Sequence, residues 1–241
     1  MSPNYEYVLG RAISLARTPS PRILDFGCGR GEVIKLGRER GIDVYGVDRP
    51  GNVPSDRLLI MEGHRIPFDD NSFDVVISNQ VFEHVADPPK ALAEISRVLK
   101  PGAQFLALFP DNTSWFEGHV GLYFVHWMPR TLAHRYMMVC HRLGLGYYQE
   151  GRTAKQWADF MLHQLETDVF YHSPKDLQRW WQDAFGAAPS PFERDFMMYR
   201  LEASPSLSRF ARWAKDPLIG RILSFICRKR AGIVWLASRL R

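Results

Sequence analysis

The stretch ILDFGCGRGEV, residues 23–33, decides how this chain has to be read: an apolar run from Ile23 to Phe26 breaks into glycines at 27, 29 and 31, then resumes in a helix-like pattern. Glycine alternating with Cys28 and Arg30 serves neither a strand nor a helix, because each glycine gives up backbone entropy and packs nothing. It suits a turn whose backbone must come close to something. In a doubly wound α/β sheet the ligand sits at the carboxyl ends of the strands, and the first strand-to-helix turn approaches it, which favours glycine.

The flanking sequence supports that fold class. Strand-like segments at 23–26, 43–47, 58–61, 73–78 and 104–109 alternate with helix-like segments at 5–16, 32–40 and 88–99. Such alternation predicts a Rossmann-like, mostly parallel sheet. FDVVIS, residues 73–78, is β-branched and apolar enough for a fully buried central strand. The helix over 88–99 carries its apolar residues at the 3.6 period and stops at Lys100, Pro101 and Gly102.

Beyond Pro110 the rhythm changes. Residues 111–130, DNTSWFEGHVGLYFVHWMPR, are dense in aromatics and histidine without a sustained period, and helices are expected at about 131–143 and 154–165. Residues 111–172 read as an inserted helical and aromatic cap over the sheet's functional edge. Ser173 and Pro174 cap a helix ending at Gly186, and residues 192–201 are expected to supply a closing strand. The expected division is a main domain over 1–204 and a basic, amphipathic helical tail over 205–241.

The chain has 241 residues, 46% hydrophobic and 24% charged. That length buries roughly 70 to 75% of the unfolded surface, enough for one large domain with an appendage, and the composition argues against wholesale disorder. Cysteines at 28, 140 and 227 show neither metal-type pairing nor a disulfide framework. No signal-peptide pattern and no uncharged apolar run near the ~20 residues of a spanning helix is evident. The expectation is a cytoplasmic protein, with peripheral attachment to the inner face of a membrane as an option.

Charge sharpens that option. Residues 205–241 hold nine Lys or Arg and one acid, Asp216, while the preceding 204 residues carry a net −3. The tail mixes those cations with Phe210, Trp213, Leu218, Ile222, Phe225 and Trp235. A basic, aromatic, amphipathic segment fits an anionic membrane interface. Packing on the body or on a second subunit is the bland reading. Nucleic acid fits less well, since readers of single strands expose aromatics in a charged groove rather than aliphatic stripes.

Two ligand classes compete for the glycine turn. The dinucleotide fingerprint G-x-G-x-x-G fits at Gly27 and Gly29, but Glu32 stands at its last position. A carboxylate in the first helical turn repels the pyrophosphate that a helix N-terminus should attract. Asp25 adds a second acid. A nucleoside cofactor with positive charge and no phosphate suits them better.

Here the sequence resembles the class I S-adenosylmethionine-dependent methyltransferases of the type 11 family. ILDFGCGRGEV looks like that family's first motif, VYGVDRP like its second, and IPFDDNSFDVVISNQVFEHVADPPKALAEISRVLKPGAQF like the stretch through the fourth strand and following helix. The likeness spans about residues 20–110. It implies S-adenosylmethionine as cofactor, with Gly27, Gly29 and Gly31 against its methionine part and Asp25 toward the amine. Asp48 falls where a carboxylate accepts both ribose hydroxyls, Glu62 and Gly63 stand by the adenine, and Ser78 and Asn79 line the methionine side.

Some relatives with this fold use an E-x-x-E-H metal site. This chain has Gln80, Glu83 and His84 in those places. Losing one acid weakens a hard divalent site, so no functional metal is expected. A hydroxyl acceptor requires a base, and histidine is the usual provider; the candidates are His84, His119 and His126. The acceptor expected is a small molecule or a glycan or lipid-linked group, with O-methylation of a membrane-associated saccharide or glycolipid favoured. A quinone-like ring, or a catalytically silent cofactor-binding module, is the alternative.

Overall fold

The computed structural model describes residues 3–240. Strands β1 (Arg22–Phe26), β2 (Asp43–Asp48), β3 (Leu58–Ile60), β4 (Phe73–Asn79) and β5 (Leu99–Phe109) are parallel and ordered β3-β2-β1-β4-β5. Helices α1 (Pro3–Leu15), α2 (Glu32–Glu39) and α3 (Pro88–Val98) accompany them. The side-chain period of two sorts each strand between two cores. Leu24, Val76, Phe105 and Phe109 face α3, whereas Ile23, Val75, Ile77 and Leu106 face α1 and α2. Every one of these side chains is nearly or fully buried, as the β-branched central strand requires.

After β5 comes the cap. A short hairpin of β6 (Phe116–Glu117) and β7 (Leu122–Tyr123) leads to α4 (Arg130–Arg142) and α5 (Ala154–Asp168). Val120, Leu122 and Val125 from the hairpin segment pack with Met137, Trp157 and Met161 in a core separate from those of the sheet. Helix α5 starts with a full capping box between Thr153 and Gln156. The next helix, α6 (Pro174–Phe185), is capped by Ser173, and its Trp181 and Phe185 cover β5.

The remainder corrects two expectations. Residues 192–201 do not form the closing strand: they lie in α7 (Glu193–Ala203), which turns Phe196 and Met197 inward. The pattern is helical, since burial recurs three and four residues apart rather than every second residue. Helices α8 (Ser208–Ala214) and α9 (Pro217–Ala231) follow, the second starting at Pro217. The closing strand is β9 (Ile233–Ser238), antiparallel to β5 from Gln104↔Ser238 to Phe109↔Ile233, with β8 (Ser190–Pro191) on its other edge.

The tail is therefore part of the seven-stranded sheet, and a cut at 204/205 would strip β5 of its neighbour. Gly232 makes the helix-to-strand switch at φ +100°, and a Cβ there would stand 2.3 Å from the Phe109 carbonyl oxygen. Several tail cations are also committed inside the molecule. Arg228 pairs with the buried Asp111 at 3.0 Å, and Lys229 Nζ donates to the Thr113 carbonyl. Among the described residues, no helix is long and apolar enough to cross a membrane.

Candidate active site

The glycine turn sits at the carboxyl end of β1 with Gly27, Gly29 and Gly31 at φ +77°, +54° and +80°. The left-handed region explains the residue type at all three. Their surroundings differ. A Cβ on Gly27 would meet the Val81 methyls at 2.3 Å, and one on Gly31, the N-cap of α2, would touch Ile34 and Leu58; one on Gly29 meets nothing within 4 Å. Gly29 thus presents bare backbone to an open cleft of about 520 Å³, which Gly27, Asp48, Gly63, Gln80 and His84 also line.

Two carboxylates stand beside the turn. The Asp48 carboxylate accepts the Gly29 N–H at 2.6 Å on one oxygen and the Arg49 N–H at 2.7 Å on the other. That fixes its plane and leaves further lone pairs for hydroxyl donors. Asp25 is buried, and its carboxyl is pushed up to about 7, first by burial and then by the Asp48 charge. A cation placed here would relieve both penalties.

On the far side of the cleft, His84 and His119 point their Nε2 atoms at each other, 3.1 Å apart. His84 Nδ1 lies 2.6 Å from the Asp168 carbonyl oxygen, which can only accept, so Nδ1 carries the hydrogen and Nε2 a lone pair. His119 Nδ1 lies 2.6 Å from Glu117 Oε1. The same Oε1 accepts from the Tyr171 hydroxyl at 2.6 Å, and Oε2 from the Val120 N–H at 2.7 Å. A bond between the facing Nε2 atoms then requires a proton on His119, which makes it an imidazolium.

The electrostatics agree with that assignment. Burial lowers His119, but the hydrogen bond and charge of Glu117 outweigh it and leave its pKa raised. Burial lowers His84, and the neighbouring His119 charge adds to the effect. Burial likewise raises Glu117, yet the hydrogen bonds from His119, Tyr171 and Val120 leave it lowered. The site is a buried carboxylate, an imidazolium and a neutral imidazole in line, the last at the cleft.

Residues 24–107 match the methyltransferase domain family. Residues 24–107 are a class I, S-adenosylmethionine-dependent methyltransferase domain. A ubiquinone biosynthesis O-methyltransferase of Maricaulis maris is 34% identical over 131 residues, 48% of this chain and 51% of that protein. An uncharacterized methyltransferase of Mycobacterium tuberculosis is 37% identical over 91 residues, 34% of this chain and 37% of that protein. The chain spans 32% to 51% of the length of the curated relatives it matches. Among solved structures, the geranyl diphosphate C-methyltransferase of Streptomyces coelicolor A3(2) superposes with a TM-score of 0.51 at 17% identity, over 98% of this chain and 77% of that one. At that identity the likeness concerns the fold.

Within the methyltransferase domain the expected cofactor residues fall into two groups. Gly27, Gly29, Asp48 and Gly63 line the cleft. Asp25, Ser78 and Asn79 stand at the carboxyl ends of β1 and β4, Gly31 caps α2, and Glu62 is exposed beside Gly63. Ser78 Oγ and Asn79 Oδ1 are buried without a hydrogen-bond partner among the described residues. Buried polar atoms left unpaired at a strand end are what a bound polar group would satisfy, so these residues fit the amino-acid end of S-adenosylmethionine. Gln80 lines the same cleft at φ +58°, a strained position for a non-glycine residue.

The three candidate histidines do not stay together. His84 and His119 meet, but His126 packs against the Tyr171 ring at 4.9 Å with both nitrogens buried and no hydrogen-bond partner among the described residues, and burial lowers its pKa. Glu117, Asp168 and Tyr171 were missed. Glu117 had a signal, standing two residues before His119; Tyr171 had none, since it meets Glu117 across 54 residues.

Glu83 is buried, its carboxylate oxygens have no hydrogen-bond partner among the described residues, and burial pushes its carboxyl up to about 8. Ligand atoms of Glu83, His84 and His119 lie within 4.8 Å of one another, a spacing that can hold a metal ion. With Gln80 in place of an acid, and Glu83 favouring its neutral form, the donor set is poor in charge.

Proposed function

We propose that this chain transfers the methyl group of S-adenosylmethionine to a hydroxyl oxygen, with His119 as the base. The observation that carries this reading is the line Glu117–His119–His84, with contacts of 2.6 and 3.1 Å, that reaches the cofactor cleft. Bound in the cleft, S-adenosylmethionine supplies an electrophilic methyl carbon, and holding the acceptor in line with it is the larger part of catalysis. In this reading Asp25 and Asn79 hold the amino end, and Asp48 the ribose. Before transfer His119 gives up its Nε2 proton to solvent; the acceptor hydroxyl then takes the place between the two Nε2 atoms and gives its own proton to the neutral His119 as its oxygen bonds the methyl carbon. Glu117 stabilises the imidazolium that results, as the acid of a triad does. Tyr171 positions Glu117.

The acceptor we favour is a saccharide or glycolipid held at a membrane, with the protein peripheral on the cytoplasmic face. The support is physical: aromatic and polar groups share the cap, and cations are concentrated in the C-terminal helices. A quinone-like ring is the second acceptor class. It is favoured by the likeness to the ubiquinone biosynthesis O-methyltransferase, which is 34% identical over about half of each chain.

The test is incubation with methyl-labelled S-adenosylmethionine and fractionated cell-envelope lipids, glycolipids and quinone precursors. Label should enter a hydroxyl-bearing fraction, and His119→Ala should slow it about 10² to 10⁴-fold. Equal labelling by the variant would remove His119 from the chemistry. Tighter binding of a nicotinamide dinucleotide than of S-adenosylmethionine would end the reading altogether. Chelation should leave the rate unchanged; a loss restored by a divalent ion would reassign Glu83, His84 and His119 to a metal.

A further inference from the structure

Helix α9 is built inside out for a helix exposed to water. A surface helix turns its apolar stripe to the core and its polar face outward. Here the outward side chains are Leu218, Ile222 and Phe225, 68%, 51% and 51% exposed and spaced four and three residues apart. Ile219 and Ile226 flank them, also exposed. The inward face is the small and polar one: Gly220 lies against the Ala214 carbonyl, and Ser224 donates to the Met197 sulfur.

The apolar face does not stop at the end of the helix. Phe225 meets the Trp115 ring at 5.8 Å, and the Trp115 N–H donates to the Lys229 carbonyl. Arg230 lies over the Phe116 ring at 4.2 Å and the Tyr123 ring at 5.6 Å. Exposed Tyr123, Phe124 and Trp127 then continue ring to ring at 5.8 and 5.4 Å. The stripe thus runs from α9 to the hairpin that carries Glu117 and His119. A contiguous apolar surface of this kind marks an interaction site.

Charge selects the partner. Arg209, Arg212, Lys215 and Arg221 are exposed on α8, α9 and the turn between them, and no acid pairs with them among the described residues. Asp216, the one acid of the segment, is used as the N-cap of α9. Apolar groups in the middle and unneutralised cations at the rim match the acyl boundary and headgroups of an anionic leaflet. A second copy would bring the same cations face to face across a two-fold axis, which repels. Single-stranded nucleic acid stacks on aromatics in a charged groove, whereas the outward side chains of α9 are mostly aliphatic, with Leu218, Ile219, Ile222 and Ile226 beside Phe225.

We propose that the outward face of α9, continued through Trp115 to the exposed rings of the cap, docks on an anionic lipid bilayer and holds the acceptor side of the cleft at the membrane plane. The second half rests on the lipid-held acceptor proposed above; the docking itself does not.

The experiment is sedimentation of the full chain with vesicles of phosphatidylglycerol and phosphatidylcholine, against vesicles of phosphatidylcholine alone. The protein should pellet with the anionic vesicles only. Leu218→Glu with Ile222→Glu should abolish pelleting, and Arg209→Glu, Arg212→Glu and Arg221→Glu together should weaken it at least about a hundredfold. Thermal melting and calorimetric titration with S-adenosylmethionine, run on the same preparations, should be unchanged in both variants. Since neither measurement uses vesicles, loss of cofactor binding with pelleting intact would sink the methyltransferase reading and leave docking standing. Failure of the unaltered protein to pellet, or equal pelleting of the variants, would overturn docking. So would a concentration-dependent dimer abolished by the Leu218 and Ile222 changes, or tighter binding of a single-stranded oligonucleotide than of vesicles.

Discussion

Asp25 and Asp48 stand at the carboxyl ends of adjacent strands, and burial makes the first of them hold its proton up to about pH 7. An ammonium or sulfonium in the cleft favours the carboxylate. Below pH 7 the binding of S-adenosylmethionine must therefore expel a proton, and affinity should fall about tenfold per pH unit. Calorimetry in buffers of different ionisation enthalpy reads that proton, and Asp25→Asn should remove both the release and the slope. For the empty protein the sign reverses: a carboxyl raised from 3.8 to about 7 contributes stability that is complete below 3.8 and lost as pH rises through 7. The apoprotein's melting temperature should drop over that window by more than that of Asp25→Asn.

His119 offers a second titration of opposite origin. Its pKa is raised and that of His84 lowered, so NMR should resolve one ring titrating above 6.5 and one below. Glu117→Gln removes the charge that holds the proton, and the upper titration should move down toward the ordinary histidine value. If both rings titrate together in the unaltered protein, the asymmetric pair does not exist. Sequence alone brought His84 and His119 forward as separate candidates. It could not pair them, because they are 35 residues apart and the Asp168 carbonyl that orients His84 lies 84 residues from it.

Among the elements, β9 is the informative one. Its sequence IVWLAS follows a basic helix, and its apolar residues read equally well as another amphipathic turn. Gly232 was the available signal, a breaker followed by β-branched residues. What made β9 a strand was the free edge of β5, which residues 192–201 leave unpaired by becoming α7. Removing residues 232–241 should accordingly expose that edge, and the shortened chain should aggregate or melt well below the intact one. Asp111→Ala is a finer cut: it removes the buried carboxylate that holds Arg228, leaving only the longer contact to Glu193, and should cost about 2 kcal/mol in denaturant unfolding. A loss under 1 kcal/mol would mean that water already screens the pair.

At the scale of the whole molecule, two cores share one site. The sheet contributes the cofactor cleft, and the cap, with its own buried cluster around Trp157 and Met137, contributes Glu117 and His119. Cores that do not interpenetrate can open separately. Hydrogen exchange should therefore show α4 and α5 opening at lower free energy than β1 and β4, while a single global exchange limit would show that the cap and sheet unfold as one.

The sequence by itself determined the strand, the glycine turn, the helix and the two acids around them, because left-handed turns, strand alternation and charge at a helix start are local properties of consecutive residues. It also set the chain's resemblance to the methyltransferases and the uneven placement of charge. Only the tertiary structure decided that the C-terminal segment completes the sheet, that Arg228 and Lys229 are bound to Asp111 and Thr113, and that His119 rather than His126 meets His84. Those outcomes depend on distant segments meeting at a sheet edge or across a cap, and no local period encodes which neighbour a side chain finds there.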